Sequence, residues 1–239
     1  MYALKYFVLL VLFLGSCSVP YQSVPDAGIS VGEIDVTCDV CDEYYYYATS
    51  KRVLFQDSRS SSVMVYTTGM HGISGATGGY FKYKGKFYVV TAAHAVSHGF
   101  VTIIRTGSEH VMATKVYVDE YEDIAVLKIP ELESRDALNL RIAPESSIHI
   151  GDEFVYSGYP ALDGLKSFNA TVSAFTAYED IVVDSFGWPG SSGSCMLDSR
   201  GRLVGVVSAL LVEDIWDQDV LLENMVVVIP AWKIDLDEL

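Results

Sequence analysis

The sequence predicts an all-β protein, a sandwich or a pair of barrels, assembled from two β halves. Two observations carry that expectation. Short runs rich in Val, Ile, Tyr and Thr recur at intervals of about ten residues with Gly, Asp and Ser between them, the texture of antiparallel strands joined by turns. Long segments with apolar residues spaced for one helix face are missing.

In the first half the runs are 63–68 (VMVYTT), 78–83 (GGYFKY), 86–92 (KFYVVTA), 100–106 (FVTIIRT), 110–118 (HVMATKVYV) and 124–129 (IAVLKI). β-Branched and aromatic residues suit a pleated, half-buried surface, and the polar and glycine breaks between the runs suit turns. In the second half they are 153–160 (EFVYSGYP), 167–176 (SFNATVSAFT), 180–185 (DIVVDS), 202–212 (RLVGVVSALLV) and 225–230 (MVVVIP). Residues 130–147 (PELESRDALNLRIAPESS) are polar, tolerate helix and interrupt the strands once. The crossover between the halves is placed there. Residues 18–60 are polar and irregular and read as an N-terminal extension outside the main fold. The folded domain is 61–239, with its first half about 62–132 and its second about 149–232.

With 239 residues, half of them apolar, the chain can bury a substantial core. Sixteen Lys and Arg stand against 31 Asp and Glu, a formal charge of -15. Binding to a nucleic-acid backbone needs clustered cations and is therefore not expected. The N-terminal stretch MYALKYFVLLVLFLGSC carries one lysine and then an apolar run of about ten residues, half of what a bilayer span requires, and fits a secretory signal over 1–17. Leu14-Gly15-Ser16-Cys17 also resembles a bacterial lipobox, in which Cys17 would be lipidated and attach the protein to a membrane. Cleavage near Ser18 is the competing reading. Either way the expected location is extracytoplasmic: secreted, periplasmic or membrane-anchored. Of the four cysteines, Cys38 and Cys41 could close a small disulfide in an oxidising compartment, leaving Cys195 alone. A zinc site would need a second Cys-x-x-Cys, and there is none.

The segment 187–197, GWPGSSGSCML, crowds glycine and serine around one proline. A serine that attacks an acyl group is served by a glycine two residues before it, so that two backbone N–H groups converge on one developing oxyanion, and by a glycine directly after it. Ser192 meets both conditions, with Gly190 before and Gly193 after; Ser191 and Ser194 do not. Gly190 and Ser192 would supply the oxyanion amides. The serine needs a base, most often a histidine held by a carboxylate. Among five histidines, His94 follows the run KFYVVTAA, where Thr91, Ala92 and Ala93 leave room at a strand end. His71, His98, His110 and His149 lie in polar or glycine-containing turns and read as surface residues. For the orienting acid, Asp123 enters the apolar run 124–129, whereas Asp119, Glu120 and Glu122 read as a solvated turn. Cys195 is a poor alternative nucleophile, since Met196 follows it where a small residue is wanted.

These motifs together resemble the chymotrypsin-fold serine peptidases, in particular the HtrA-like branch, over about residues 62–235. VVTAAHAV is similar to the histidine motif of that family, EDIAVLKI to the aspartate motif and DSFGWPGSSGSCML to the nucleophile loop. GDEFVYSGYP, ATVSAF and VVVIP resemble segments of the second barrel. The resemblance implies two six-stranded antiparallel β-barrels with the active site between them. It also implies a triad of His94 as base, Asp123 as its orienter and Ser192 as nucleophile, with protein or peptide substrates and no metal or cofactor. The pocket for the residue before the cut bond would include Phe186, Val207, Ser208 and Ala209, which suggests a small or apolar residue there. Departures are visible as well. Gly193-Ser194-Cys195 replaces the two glycines and proline common after the nucleophile. Ser191 replaces the aspartate with which trypsin-like zymogens capture a new N-terminus. A protease domain alone, without a C-terminal peptide-binding module, is the expectation. The alternative is an idle member of the fold that binds peptides or serves as a surface lipoprotein.

Overall fold

The protein is described by a computed structural model covering residues 50–70, 72–214 and 219–239. The signal and lipobox segment, Cys17, Cys38, Cys41, most of the extension and His71 lie outside the described residues. Strands β1 (Ser62–Gly69), β2 (Gly72–Tyr83), β3 (Lys86–Thr91), β4 (Gly99–Arg105), β5 (His110–Asp119) and β6 (Ile124–Ile129) form the first barrel. Its order is β1-β4-β5-β6-β3-β2, and pairing of β1 with β2 closes it. After a short β7 (Leu138–Asn139), which adds to β2 in parallel, come β8 (Glu153–Gly158), β9 (Lys166–Phe175), β10 (Ile181–Asp184), β11 (Cys195–Leu197), β12 (Leu203–Asp214) and β13 (Asp219–Pro230). They close the second barrel in the order β10-β13-β12-β11-β8-β9.

The expected all-β fold of two six-stranded antiparallel barrels is what forms. Each barrel has its own core, with Val63, Tyr80, Val89 and Leu127 in the first and Phe154, Ile181, Met196 and Val228 in the second. A third cluster lies between them: Phe81, Tyr88, Val90 and Val126 from the first barrel pack with Cys195, Val206, Ile229 and Ile234 from the second. This explains why β3 and β6 read as unbroken apolar runs rather than alternating ones. Val89 and Leu127 face the barrel interior while Val90 and Val126 face the neighbouring barrel, so both sides of each strand leave water. The crossover contains no α-helix. It stitches the halves by backbone bonds, Leu140 N–H to the Lys82 carbonyl (3.0 Å) and Ala143 N–H to the Leu203 carbonyl (2.9 Å).

Where irregular chain was expected before residue 62, Lys51–Ser61 form a helix, α1. The Ser50 side chain caps it by accepting the Val53 N–H. Its apolar residues Val53, Leu54 and Phe55 are contiguous instead of spaced three or four apart, which is why no helical period shows. Leu54 alone of the three is fully buried, in a small cluster with Val155 and Leu197 of the second barrel. Lys51 pairs with Glu153 (3.1 Å) and Arg59 donates to the Ser167 hydroxyl (2.9 Å). Leu54→Ala is expected to lower the free energy of unfolding by about 2 kcal/mol in urea denaturation. Val53→Ala, at a 40 % exposed position, should change it by no more than about 0.5 kcal/mol. Equal effects of the two substitutions would contradict docking of this helix.

Candidate active site

β3 ends at Thr91, and the small, fully buried Ala92 and Ala93 let the chain turn at once into a short 3-10 turn, Ala93–Ala95. Ala93 and Ala95 face inward, so His94 faces out, with 52 % of its side chain exposed. Asp123 closes the β5–β6 turn with a left-handed backbone (φ 55°). That turn is shaped from its start by Asp119, whose carboxylate accepts the N–H groups of Tyr121 (2.9 Å) and Glu122 (3.0 Å).

The Asp123 carboxylate meets His94 at two places. It accepts the backbone N–H (2.8 Å), and it lies against ring Nδ1 at 2.8 and 3.0 Å. A carboxylate only accepts, so Nδ1 carries the proton and Nε2 keeps a free lone pair. The Ser208 hydroxyl is a third donor to the same carboxylate. Hydrogen bonding from Asp123 raises the His94 pKa, against a smaller downward push from burial. Burial pushes Asp123 up, but the bonds from the His94 ring, the Ser208 hydroxyl and the His94 amide outweigh it and hold the carboxyl below its usual range. The stabilisation from the raised histidine is therefore complete below about pH 6.5 and is lost as pH climbs through its folded pKa. That from Asp123 is present above the ordinary carboxyl value and is lost as pH falls through the depressed one.

The loop from Gly187 to Ser194 belongs to the second barrel but is held by the first. Thr77 of β2, fully buried, donates its N–H to the Ser192 carbonyl (2.9 Å) and its hydroxyl to the Gly190 carbonyl (2.8 Å), and that hydroxyl accepts the Tyr159 N–H (2.9 Å). Gly190 and Gly193 have φ of 97° and 87°, and a Cβ on Gly193 would stand 1.9 Å from the Thr77 carbonyl oxygen. Only glycine fits either condition there. The Pro189 carbonyl accepts from Ala161 N–H (2.7 Å), and the Ser191 carbonyl from Ser194 N–H (3.0 Å). In a trans peptide the N–H points opposite its C=O, so these bonds fix the directions of the Gly190 and Ser192 amides. Among the described residues neither amide has an acceptor.

Of the three loop serines, Ser191 (2 % exposed) and Ser194 (0 %) are buried with hydroxyls that find no partner among the described residues, while Ser192 is partly accessible. The Ser192 hydroxyl donates to the Ser208 carbonyl (3.1 Å). Ser208 thus touches both Asp123 and Ser192. It is Ser208 that links the two barrels' candidate residues; the hydroxyl of Ser192 is not on the His94 ring. Burial pushes the Cys195 thiol up to about 12, which removes it as a nucleophile.

A cavity of about 350 Å³ opens beside Ser192, lined by Trp188, Pro189, Val207, Ser208, Ala209 and Leu210 among others. Val207, Ser208 and Ala209 are among its walls. Phe186 does not line it. Its ring stacks on Phe168 (5.5 Å between centroids), and its carbonyl accepts the Tyr156 hydroxyl, so it is drawn to the β9 side. A second cavity of about 200 Å³ is lined by His94 together with Thr67, Ile73, Ser74 and His98. His149 sits far along the chain against Asp152 (3.7 Å). The contributions of Thr77 and Ser208 were not legible in the sequence, except that Thr77 lies within GATGG, where small residues permit close backbone approach.

A family model described as a trypsin-like peptidase domain matches residues 73–206. Two curated relatives are the serine protease Do-like HtrA of Lactococcus lactis subsp. cremoris, 28 % identical over 146 residues, and that of L. lactis subsp. lactis, 27 % identical over 180. The matches take in 54 % and 64 % of this chain but only 35 % and 44 % of those proteins, so the chain spans less than half the length of either. Solved structures with the same fold include the HtrA-type protease AlgW with tripeptide (21 % identity, TM-score 0.61, 75 % of this chain and 59 % of that one). Another is the serine endoprotease from Yersinia pestis (22 % identity, TM-score 0.62, 77 % and 63 %).

In an NMR titration of ring protons, His94 is expected to titrate above 6.5. Asp123→Asn should bring it down towards that value. A midpoint at or below 6.5 in the unsubstituted protein would contradict the pairing.

Proposed function

The chain belongs to the trypsin-like peptidase family, and on that premise we propose that it is a serine endopeptidase working through His94, Asp123 and Ser192. His94 Nε2 takes the proton of the Ser192 hydroxyl as Oγ attacks the carbonyl carbon of the substrate. The carbonyl electron pair moves onto oxygen, where the Gly190 and Ser192 amides receive it. Collapse of this adduct breaks the C–N bond, and His94 gives its proton to the leaving amine. Water, deprotonated by the same ring, then splits the acyl-enzyme. Asp123 keeps the ring in the Nδ1–H form and stabilises the imidazolium in both halves.

The observation that carries this reading is the double grip of Asp123 on His94, at 2.8 Å to the amide and 2.8 Å to Nδ1. It commits the other ring nitrogen to basicity, and Ser208, bonded to both the Asp123 carboxylate and the Ser192 hydroxyl, ties the Ser192 loop to the same acid. The two unengaged amides supply the second requirement. The apolar walls of Val207, Ala209 and Leu210 favour a small or apolar residue before the cut bond. One observation favours peptide binding without cleavage: the Ser192 proton rests on the Ser208 carbonyl, a bond that attack must break.

Fluorophosphonate labelling separates the two. The unsubstituted protein should label, Ser192→Ala should not, and His94→Ala should label slower by on the order of 10³. A folded protein that never labels, and cleaves no peptide with Ala, Val or Leu at the scissile position, is a binder.

We also place the protein outside the cytoplasm, exported by residues 1–17 and secreted, periplasmic or lipid-anchored at Cys17. The apolar run before Cys17 is the motive. Intact mass after expression in an exporting host should show either loss of the leader or a diacylglyceryl increment on Cys17. An unprocessed N-terminus refutes export.

A further inference from the structure

We propose that Lys233, which follows β13, is a positioning residue for Asp123 that holds the turn carrying it across the two barrels. The inference rests on the reading of His94, Asp123 and Ser192 as the reacting set.

Lys233 ends the 3-10 turn Ala231–Lys233 of the second barrel. Its ammonium donates to the Glu122 carboxylate, to Asp180 Oδ1 (2.9 Å) and to the Tyr178 carbonyl (3.1 Å). Those are all three of its protons. Glu122 is the residue directly before Asp123 and belongs to the first barrel. Asp180 and Tyr178 belong to the β9–β10 turn of the second. Only 14 % of the Lys233 side chain is exposed, with 26 % of Glu122 and 16 % of Asp180, so salt and water weaken these pairs far less than surface ones. The lysine backbone is pinned as well, its carbonyl accepting the Tyr117 hydroxyl of β5 (3.2 Å).

The turn needs an outside hold. Asp123 occupies the left-handed region, which side chains adopt only against a steric cost. Asp119 secures the near end through the amides of Tyr121 and Glu122. Lys233 secures the far end through the Glu122 side chain. The sequence gives Glu122 the look of a solvated turn acid, and nothing in the proposed reaction uses Lys233. Its placement between two carboxylates from different barrels is accounted for if it keeps the Asp123 carboxylate in register with the His94 amide and ring.

The groups that bear on a titration here are few. Around Lys233 stand Glu122 and Asp180, with the Tyr117 hydroxyl beneath and Asp119, Asp235 and Glu238 acting on that hydroxyl from further off. Around His94 stand Asp123 and, across the smaller cavity, His98.

The test reads the His94 midpoint by NMR together with kcat and KM in Lys233→Met and Lys233→Arg. Release of Glu122 should let the Asp123 carboxylate drift from the ring. The His94 midpoint then falls towards 6.5, and kcat falls on the order of tenfold to a hundredfold with KM little changed. Arginine, which can still bond both carboxylates, should restore both. Loss of a positive charge by itself acts the other way and raises the His94 midpoint. An unchanged or raised midpoint in Lys233→Met overturns the proposal. Because methionine leaves two carboxylates facing each other, Lys233→Met/Asp180→Asn is read in parallel; it removes that repulsion at no change in net charge and must give the same fall. Absence of Ser192-dependent labelling in the unsubstituted chain refutes the peptidase reading alone, since the histidine titration needs no turnover.

Discussion

The loop that carries Ser192 is tied to the first barrel by one buried threonine. Thr77 uses its N–H, its carbonyl and both capacities of its hydroxyl in bonds that leave its own strand. Two of them hold the Gly190 and Ser192 carbonyls of the second barrel. A third, from the Thr91 hydroxyl to the Thr77 carbonyl (2.7 Å), reaches the strand end three residues before His94. With Thr77 and Thr91 fully buried, each of these groups left unpaired would cost about 1–3 kcal/mol. The loop therefore cannot slide along the first barrel without losing several of them together.

The unusual Gly193-Ser194-Cys195 sequence is absorbed by space on the facing strands. A Cβ on Gly158 would stand 2.1 Å from Ser194 Oγ, and one on Gly79 would stand 2.5 Å from Cys195 Sγ. Each extra side chain behind the loop is thus matched by a missing one in β8 or β2. The fit is steric but not polar, because the Ser194 hydroxyl finds no partner among the described residues. The departure from two glycines and a proline changes what fills the space without moving the loop off Thr77. It leaves a buried polar atom as its residual cost.

How much of this the sequence carried depends on how local each cause is. Strands of the first barrel were legible because their apolar runs are bounded by turn residues a few positions away. β11 was not, since three residues cannot display a period, and its existence depends on pairing with Tyr156 and Gly205. The helix before β1 was missed because one leucine, not a stripe, fastens it. The contact of His94 with Asp123 could be anticipated from an alanine-lined strand end and an acid opening an apolar strand. The parts played by Ser208, Thr77 and Lys233 join positions far apart in the chain, and a single sequence holds no trace of such joins. Phe186 shows the reverse error. Its position in the motif suggested a pocket wall, but its ring stacks on Phe168 of β9 and stays 45 % exposed.

Three donors on one partly buried carboxylate also bear on the protonation of the site. A buried acid lowers its cost by taking up a proton unless enough hydrogen bonds favour the anion. At Asp123 burial is the largest single influence and acts in that direction, yet the His94 ring, the Ser208 hydroxyl and the His94 amide outweigh it. The anion is therefore held while the ring beside it gains or loses a proton, and the charge that develops on His94 has a fixed partner at 2.8 Å. The donors come from two barrels, His94 from the first and Ser208 from the second. Opening the cleft would remove the Ser208 donor and leave the two His94 donors, which share a barrel with Asp123. The carboxylate that grips His94 is thus itself held from across the barrels, which is why those ties bear on the site as well as on the fold.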